Sequence, residues 1–260
     1  MCLGLHDDLA QEIDLAFCQY RKIPLLRRET GGGVVYLDSR QVFYQLVLHR
    51  DNPLLPLRRT RFYTRFLRPA ISVCRSLGMP AELKEPADLA AGGRKCSGNA
   101  CGDIGPCTAY VGNLLLDFDY ETMSGVLRAP DPDFRGMLCR AMRDNMTTLA
   151  DWRQDQAEYA RLASGLAEGF AREIGALEPR GVDDELRTAA CRAGERLTAP
   201  EWLHMPGRRT CRRRVKIAEG VYLAEKRTDD GKNCCVLERE GRNSGRVGGE
   251  NDADGQSDAG

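Results

Sequence analysis

The sequence predicts an α+β domain: a mixed β-sheet packed with helices, then a short partial β appendix. Three observations predict it. Strand-like runs gather in the first half of the 260-residue chain and helical patterns in the second, without the alternation of a doubly wound fold. Apolar residues make up 42%, enough for a sizeable core. After the helices, β-branched runs return before the composition turns polar.

Each element follows from local pattern. "CLGL" at 2–5 reads as a strand. Asp7 and Asp8 cap a helix running to about Arg21, with Leu9, Ile13, Ala16 and Phe17 on one face. "IPLLRR" and "VVYL" read as strands with three glycines between them, and 42–49 as a buried strand. "DNPLLP" breaks the chain, and 57–77 fits one long amphipathic helix. "GMPAELKEPADLA" makes a turn and short strands. Residues 92–119 alternate glycine turns with apolar runs, and "AYVGNLLLDFD" is their central strand. Asp119 caps the next helix, and further helices are expected at 133–150, 154–175 and 182–197. "APEWLHMP" is a loop that buries Trp202. "RRVKIAEGVYLAEK" and "NCCVLERE" look like two strands. The polar composition from Gly241 predicts a disordered tail. Three units result: 1–206, 207–240 and 241–260.

Composition narrows function. Thirty-eight basic residues balance thirty-eight acidic ones, so nothing global draws the chain to nucleic acid or to a membrane surface. Lysine occurs at only six positions, Lys22, Lys84, Lys95, Lys216, Lys226 and Lys232; the other basic residues are arginine. No apolar run approaches the roughly 20 residues of a membrane span. No basic segment followed by a long apolar run opens the chain, so a signal peptide is not expected and the location expected is cytoplasmic. Eleven scattered cysteines without a CxxC pair, and only three histidines, argue for reduced thiols rather than zinc. Cys96, Cys101 and Cys107 form the closest set.

Two glycine clusters carry the chemistry. In "RRETGGGVVYLD", Gly31, Gly32 and Gly33 remove every Cβ, so backbone N–H groups can approach a ligand. Beside Arg27 and Arg28, that suits a phosphate or carboxylate; a flexible hairpin turn suits the glycines alone. In "AGGRKCSGNA", Lys95 sits among small residues. It reads either as a surface lysine or as a compact point charge that follows moving negative charge better than a guanidinium. Neither cluster is a nucleotide P-loop or a dinucleotide fingerprint.

"RRETGGGVVYLD", then "GRKCSGNA", then "VGNLLLDFD", in that order, resemble the lipoate–protein ligase A group of the biotin/lipoate ligase superfamily. The family pattern is RR-x-[TS]-GGG-x-V-x-HD-x-GN, K-x-[SA]-G-[SN]-A and H-x-G-[TS]-L-L-x-x-x-D. "LTAPEWLHMP" resembles the segment that closes the family's large domain, and the likeness runs from Cys2 to about Pro206. It implies a biotin/lipoate ligase-like catalytic domain that activates lipoate with ATP to lipoyl-adenylate. The acyl group then passes to a lysine of a lipoyl carrier domain or H protein. By motif position, Arg28, Gly33, Val34, Val35 and Tyr36 would hold the nucleotide. Gly31 and Gly32 would shape the loop around the acyl-adenylate, and Gly98 and Asn99 would line the site. Lys95 would be the catalytic contact to carboxyl and α-phosphate. Mg²⁺ would bridge phosphates with few protein ligands.

The sequence departs from the pattern at Leu37 for His, Arg40-Gln41 for Gly-Asn, Val111 for His and Asn113 for Thr. Two alternatives remain. An octanoyl or lipoyl transferase would need a thioester-forming cysteine; with 92–101 extended, Cys101 would share a face with Lys95. A non-catalytic member would keep only the fold. A biotin ligase would carry a GRGRxGR-type loop instead. Gly4 to Asp8 match a segment that family members precede with a strand and a helix, so an exposed sheet edge or apolar patch is expected near the N-terminal end. The 207–240 segment resembles the first hairpin of a small accessory domain, which some members carry as a separate chain. It is expected to dock loosely.

Overall fold

A computed structural model of the chain describes residues 1–55, 59–85, 87–152, 159–228 and 233–240. The expected tail at 241–260 and the expected helix starts at 57 and 154 lie outside them.

The first half supplies β1 (Cys2–Leu3), α1 (Leu9–Glu12), α2 (Leu15–Tyr20), β2 (Leu26–Arg27) and β3 (Gln41–His49). The single helix expected from Asp8 to Arg21 is two. Ile13 is extended, fully buried and bridged to Leu127, and Asp14 caps a fresh helix by accepting the Phe17 N–H at 3.0 Å. Tertiary burial of Ile13 thus overrides helical continuity. "VVYL" is not a strand either. Only Val35 pairs, exchanging hydrogen bonds with Cys2.

The expected 57–77 helix divides into α3 (Arg59–Phe66) and α4 (Arg68–Ser76). Pro69 stands in the first turn of α4, where its missing N–H costs nothing. Three short strands follow: β4 (Ala81–Lys84), β5 (Asp88–Ala91) and β6 (Arg94–Ser97). They make an antiparallel sheet, and β3, β7 (Asn99–Ile104) and β8 (Cys107–Leu115) make a second, in the order β3-β8-β7.

Helices α5 (Tyr120–Val126), α6 (Pro132–Asn145), α7 (Tyr159–Ile174), α8 (Asp184–Thr198) and α9 (Pro200–Leu203) come next. Asp119 caps α5 as its position predicts, accepting the Thr122 N–H at 2.9 Å. α6 stops at Asn145, short of the expected 150, and a 3-10 turn covers Leu149–Asp151. Trp202 lies in α9 rather than in a loop, and it is half-buried, its indole N–H donating to the Arg27 carbonyl at 2.8 Å. No described helix is long and apolar enough to cross a membrane.

The chain after α9 forms three strands, β9 (Arg214–Ala218), β10 (Val221–Arg227) and β11 (Asn233–Arg239), antiparallel in the order β11-β10-β9. "RRVKIAEGVYLAEK" turns at Glu219-Gly220, so it makes a hairpin. This sheet is not loosely docked. Val215, Ile217, Val221 and Leu223 are buried in one cluster with Leu3, Ile13, Phe134 and Leu138. A second core holds Phe62, Phe66, Leu89, Cys96, Tyr110, Leu162 and Phe170. At the other end, Met1, Cys2 and Leu3 are buried, and β1 pairs with β2 on one side and Val35 on the other. The open edge expected there is therefore covered. The fold is α+β; its three-stranded sheets are antiparallel, and β1–β2 supplies the parallel pairing.

Candidate active site

The glycine loop is shaped from inside. The Arg28 guanidinium donates to the carbonyls of Gly31 and Gly33, each at 2.8 Å, and to the Cys2 carbonyl at 3.3 Å. A trans peptide sets its N–H opposite its C=O, so the amides of Gly32 and Val34 point away from Arg28. Gly32 has φ 94°, a left-handed conformation natural to glycine. Cβ atoms added at Gly31 or Gly33 would meet nothing within 4 Å, so that side of the loop is open. Its other side is packed: a Cβ on Gly4 would lie 1.8 Å from the Gly32 carbonyl oxygen.

Arg27 does not flank the loop as an anion contact. Its side chain is fully buried and donates to the carbonyls of Leu5, Asp7, Leu203 and Met205 at 2.6–3.2 Å. It staples the chain near α9 to the N-terminal turn. Val34 and Tyr36 pack on the first core, and Tyr36 meets the Phe118 ring edge-on. Val35 is occupied by its bridge to Cys2.

Lys95 sits on β6. The β5–β6 hairpin turns through Gly92 and Gly93, at φ 56° and 75°, the pattern of a two-residue type I′ turn. Lys95 stands opposite Ala90, so Asp88, two residues further along β5, shares its face. The Lys95 ammonium lies 3.0 Å from Asp88 Oδ1, with side chains 21% and 9% exposed. The other Asp88 oxygen accepts the Glu219 N–H at 3.1 Å, from the β9–β10 turn. The Lys95 backbone is fixed independently by the Thr147 N–H, 2.8 Å from its carbonyl.

Gly98 and Asn99 belong to a polar network. Asn113 Oδ1 accepts the Gly98 N–H at 2.6 Å and Asn113 Nδ2 donates to Gln41 Oε1 at 2.8 Å. Asn99 Oδ1 accepts from the hydroxyls of Tyr44 and Tyr110 at 3.2 and 3.0 Å. Arg40 reaches Asp38 and Asp119, at 2.9 and 3.0 Å, and ties the loop before β3 to the start of α5.

The cysteines near Lys95 do not converge. Cys96 is fully buried, and burial pushes its thiol up to about 12. Cys101 lies in β7, in a different sheet from Lys95, and packs against the second core. The extended 92–101 run that would align the two is interrupted at Gly98. Among the described residues no group of three His, Cys, Asp or Glu side chains is arranged to hold a metal ion. An open depression of about 700 Å³ beside α5 and α6, lined by Phe17, Glu121, Arg135 and Cys139, contains none of the motif residues.

Sequence reading missed Asp88 and the Glu219 amide. The first was countable from the Gly92-Gly93 turn; the second, 131 residues from Asp88, had no local signal.

A family model of the lipoyl protein ligase A/B catalytic domain matches residues 1–171. The chain belongs to this family. Over 225 residues it is 28% identical to octanoyltransferase LipM of Kyrpidia tusciae, covering 78% of this chain and 82% of that protein. It is 25% identical over 182 residues to lipoate-protein ligase A subunit 1 of Thermoplasma acidophilum, covering 66% and 67%. A solved archaeal lipoylation system from the same organism, a bi-partite lipoate protein ligase with its E2 lipoyl domain, shares the fold. Its TM-score is 0.69 at 21% identity, covering 81% of this chain and 82% of that one. Relatives of this lipoyl ligase family member thus include both a ligase and a transferase.

Proposed function

We propose that the protein is an ATP-dependent lipoate–protein ligase that activates lipoate to lipoyl-AMP and transfers it to a lysine of a lipoyl carrier domain. The supporting observation is the contrast within one motif. Lys95 keeps a partly exposed ammonium tied to Asp88, whereas the adjacent Cys96 thiol is sealed and pushed up to about 12 and Cys101 lies in a different sheet. A ligase needs the ammonium; a thioester transferase needs a thiolate.

ATP fits the open side of the glycine loop, where the Gly32 and Val34 amides would donate to phosphate oxygens. ATP supplies the electrophilic α-phosphorus and the pyrophosphate leaving group. Mg²⁺ would arrive with the triphosphate, since the described residues offer no cluster of donors to hold it alone. Lys95 holds the lipoate carboxylate beside the α-phosphate and offsets the charge that builds on the phosphate oxygens. In the second half-reaction the carrier lysine attacks the acyl carbon, an amide forms and AMP leaves. Lys95 then faces the oxyanion on that carbon.

The 207–240 sheet is the part of this chain proposed to meet a separate accessory chain, in keeping with the bi-partite archaeal relative. The deciding experiment mixes the protein with lipoate or octanoate, a lipoyl carrier domain and ATP. The carrier gains the acyl mass and pyrophosphate appears, both only with ATP. Transfer from an octanoylated carrier without ATP would establish the transferase instead.

A further inference from the structure

A buried carboxylate beside the essential cation of an anion-binding site calls for a reason. Asp88 partly cancels the charge that Lys95 offers to substrate, yet it is 7% exposed and held by two partners. One oxygen takes the Lys95 ammonium and the other takes the Glu219 N–H. Lys95 lies in the β4–β5–β6 sheet, and Glu219 lies in the β9–β10 turn of the C-terminal sheet, 131 residues beyond Asp88. All three strands of the C-terminal sheet pack on α6, and the segment just after α6 fixes the Lys95 backbone through Met146 and Thr147. The carboxylate is therefore where the C-terminal sheet touches the catalytic lysine.

We propose that Asp88 is a positioning residue for Lys95, and that the Glu219-Gly220 turn of the C-terminal sheet sets its orientation. This rests on the ligase reading for the role of Lys95. A lysine carries three donors on a flexible four-carbon stem. Asp88 claims one donor, fixes the stem and leaves two for carboxylate and phosphate. The Glu219 amide in turn selects one rotamer of Asp88. A partner chain or carrier that shifted the Glu219-Gly220 turn would release Asp88 and so loosen Lys95.

The turn allows a clean test. Gly220 has φ 70°, the left-handed conformation natural to glycine, and it follows Glu219 in the β9–β10 turn. Glu219→Pro removes the N–H that Asp88 accepts, and a thermal melt checks that the fold survives the change. Glu219→Ala removes the carboxylate and its pair with Lys216 while keeping the N–H. Asp88→Asn keeps an acceptor for the amide and removes the charge facing Lys95. Amine-reactive labelling of the full chain at one pH, read by mass spectrometry, compares Lys95 with the exposed Lys22 and Lys226. Lys95 in Glu219→Ala should label as in the wild type. In Glu219→Pro it should label several-fold faster, and in Asp88→Asn faster still, with Lys22 and Lys226 unchanged. In pyrophosphate release, Asp88→Asn should lower kcat about tenfold with little change in KM. Equal Lys95 labelling in Glu219→Pro and Glu219→Ala overturns the tether. Labelling needs no substrate, so a wild type that releases no pyrophosphate counts against the ligase reading while the tether is still decided.

Discussion

Asn113 and Gln41 meet: the Asn113 side-chain amide donates to Gln41 Oε1 at 2.8 Å, while its own carbonyl accepts the Gly98 N–H. These are two of the positions at which the sequence departs from the ligase pattern. Gln41 stands opposite Leu115 and Asn113 two residues before it, so both side chains occupy one face of the β3–β8 pair. The two departures compensate each other and hold Gly98 beside the Lys95 motif. Asn113→Ala leaves the buried Gln41 oxygen and the half-buried Gly98 N–H without this partner and should cost about 1–3 kcal/mol. Adding Gln41→Ala should cost less than the two single changes together. Urea unfolding of the four proteins measures the coupling; strict additivity would refute it.

Lys95→Ala should slow adenylate formation and acyl transfer each by about 10²–10³, the usual effect of losing one donor at a developing charge. Lys95→Arg should not rescue, because a planar fork does not take the place of a compact ammonium beside a tetrahedral centre. Synthetic lipoyl-adenylate bypasses the first step, so the alanine variant should regain only part of its rate. Thermal melts check that the fold survives. Unchanged pyrophosphate release in Lys95→Ala would remove this residue from the mechanism.

Cys96→Ser and Cys101→Ser separate the two activities found among the relatives. In a ligase no thioester forms, so Cys101→Ser should keep ATP-dependent transfer within about twofold of wild type. Cys96→Ser puts a hydroxyl into a fully buried site and should cost stability, by about 1–3 kcal/mol, rather than chemistry. A Cys101→Ser protein that is stable but inactive would favour the thioester route.

The fold class was legible because it rests on the order of elements, and Asp119 because an N-cap is a local event. Ile13 was not. Its neighbours read as one helical face, and only the bridge to Leu127 stops the helix. Val34, Val35 and Tyr36 have strand propensity, but a strand needs a partner along its length and only Val35 finds one. Arg27 looked like a site residue because position in a motif does not reveal burial. Its five-donor guanidinium instead satisfies carbonyls that two distant turns leave unpaired. The glycine loop and Lys95 were visible as motifs. The Asp88 link between Lys95 and Glu219 required the hairpin register and a contact across the chain.

Acid should unfold the protein from below about pH 4. Arg209 and the Gln11 and Gly207 backbone donors hold the Asp8 carboxyl below its usual range. At Asp119, burial pushes the carboxyl up, but Thr122 and Arg40 outweigh it and the net direction is down. Both groups have depressed values in the folded state, so their stabilisation is present above the unfolded value and is lost as pH falls through the folded one. Asp8→Asn and Asp119→Asn should each flatten the acid limb of a stability–pH curve. A limb unchanged in both would remove these carboxylates as its cause.

Deleting the C-terminal sheet should destroy the fold rather than trim an appendage. Val215, Ile217, Val221 and Leu223 are at most 6% exposed and pack against Leu3, Phe134 and Leu138. Burying each such side chain contributes about 1.5–3 kcal/mol, so the four together rival the 5–15 kcal/mol by which a domain is ordinarily stable. Arg213 adds a second anchor: it lies 2.8 Å from Glu12 Oε2 and donates to the Arg128 carbonyl at 2.8 Å. Removing residues 213–240 would uncover the core and leave Glu12 without its cation. The truncated protein should be insoluble or lack a cooperative melt, whereas Leu223→Ala should remain folded with a loss of about 2–5 kcal/mol. A truncated protein that melts like the full chain and still forms lipoyl-adenylate would show that the sheet is dispensable, and with it that the Glu219 contact to Asp88 is not needed to hold Lys95.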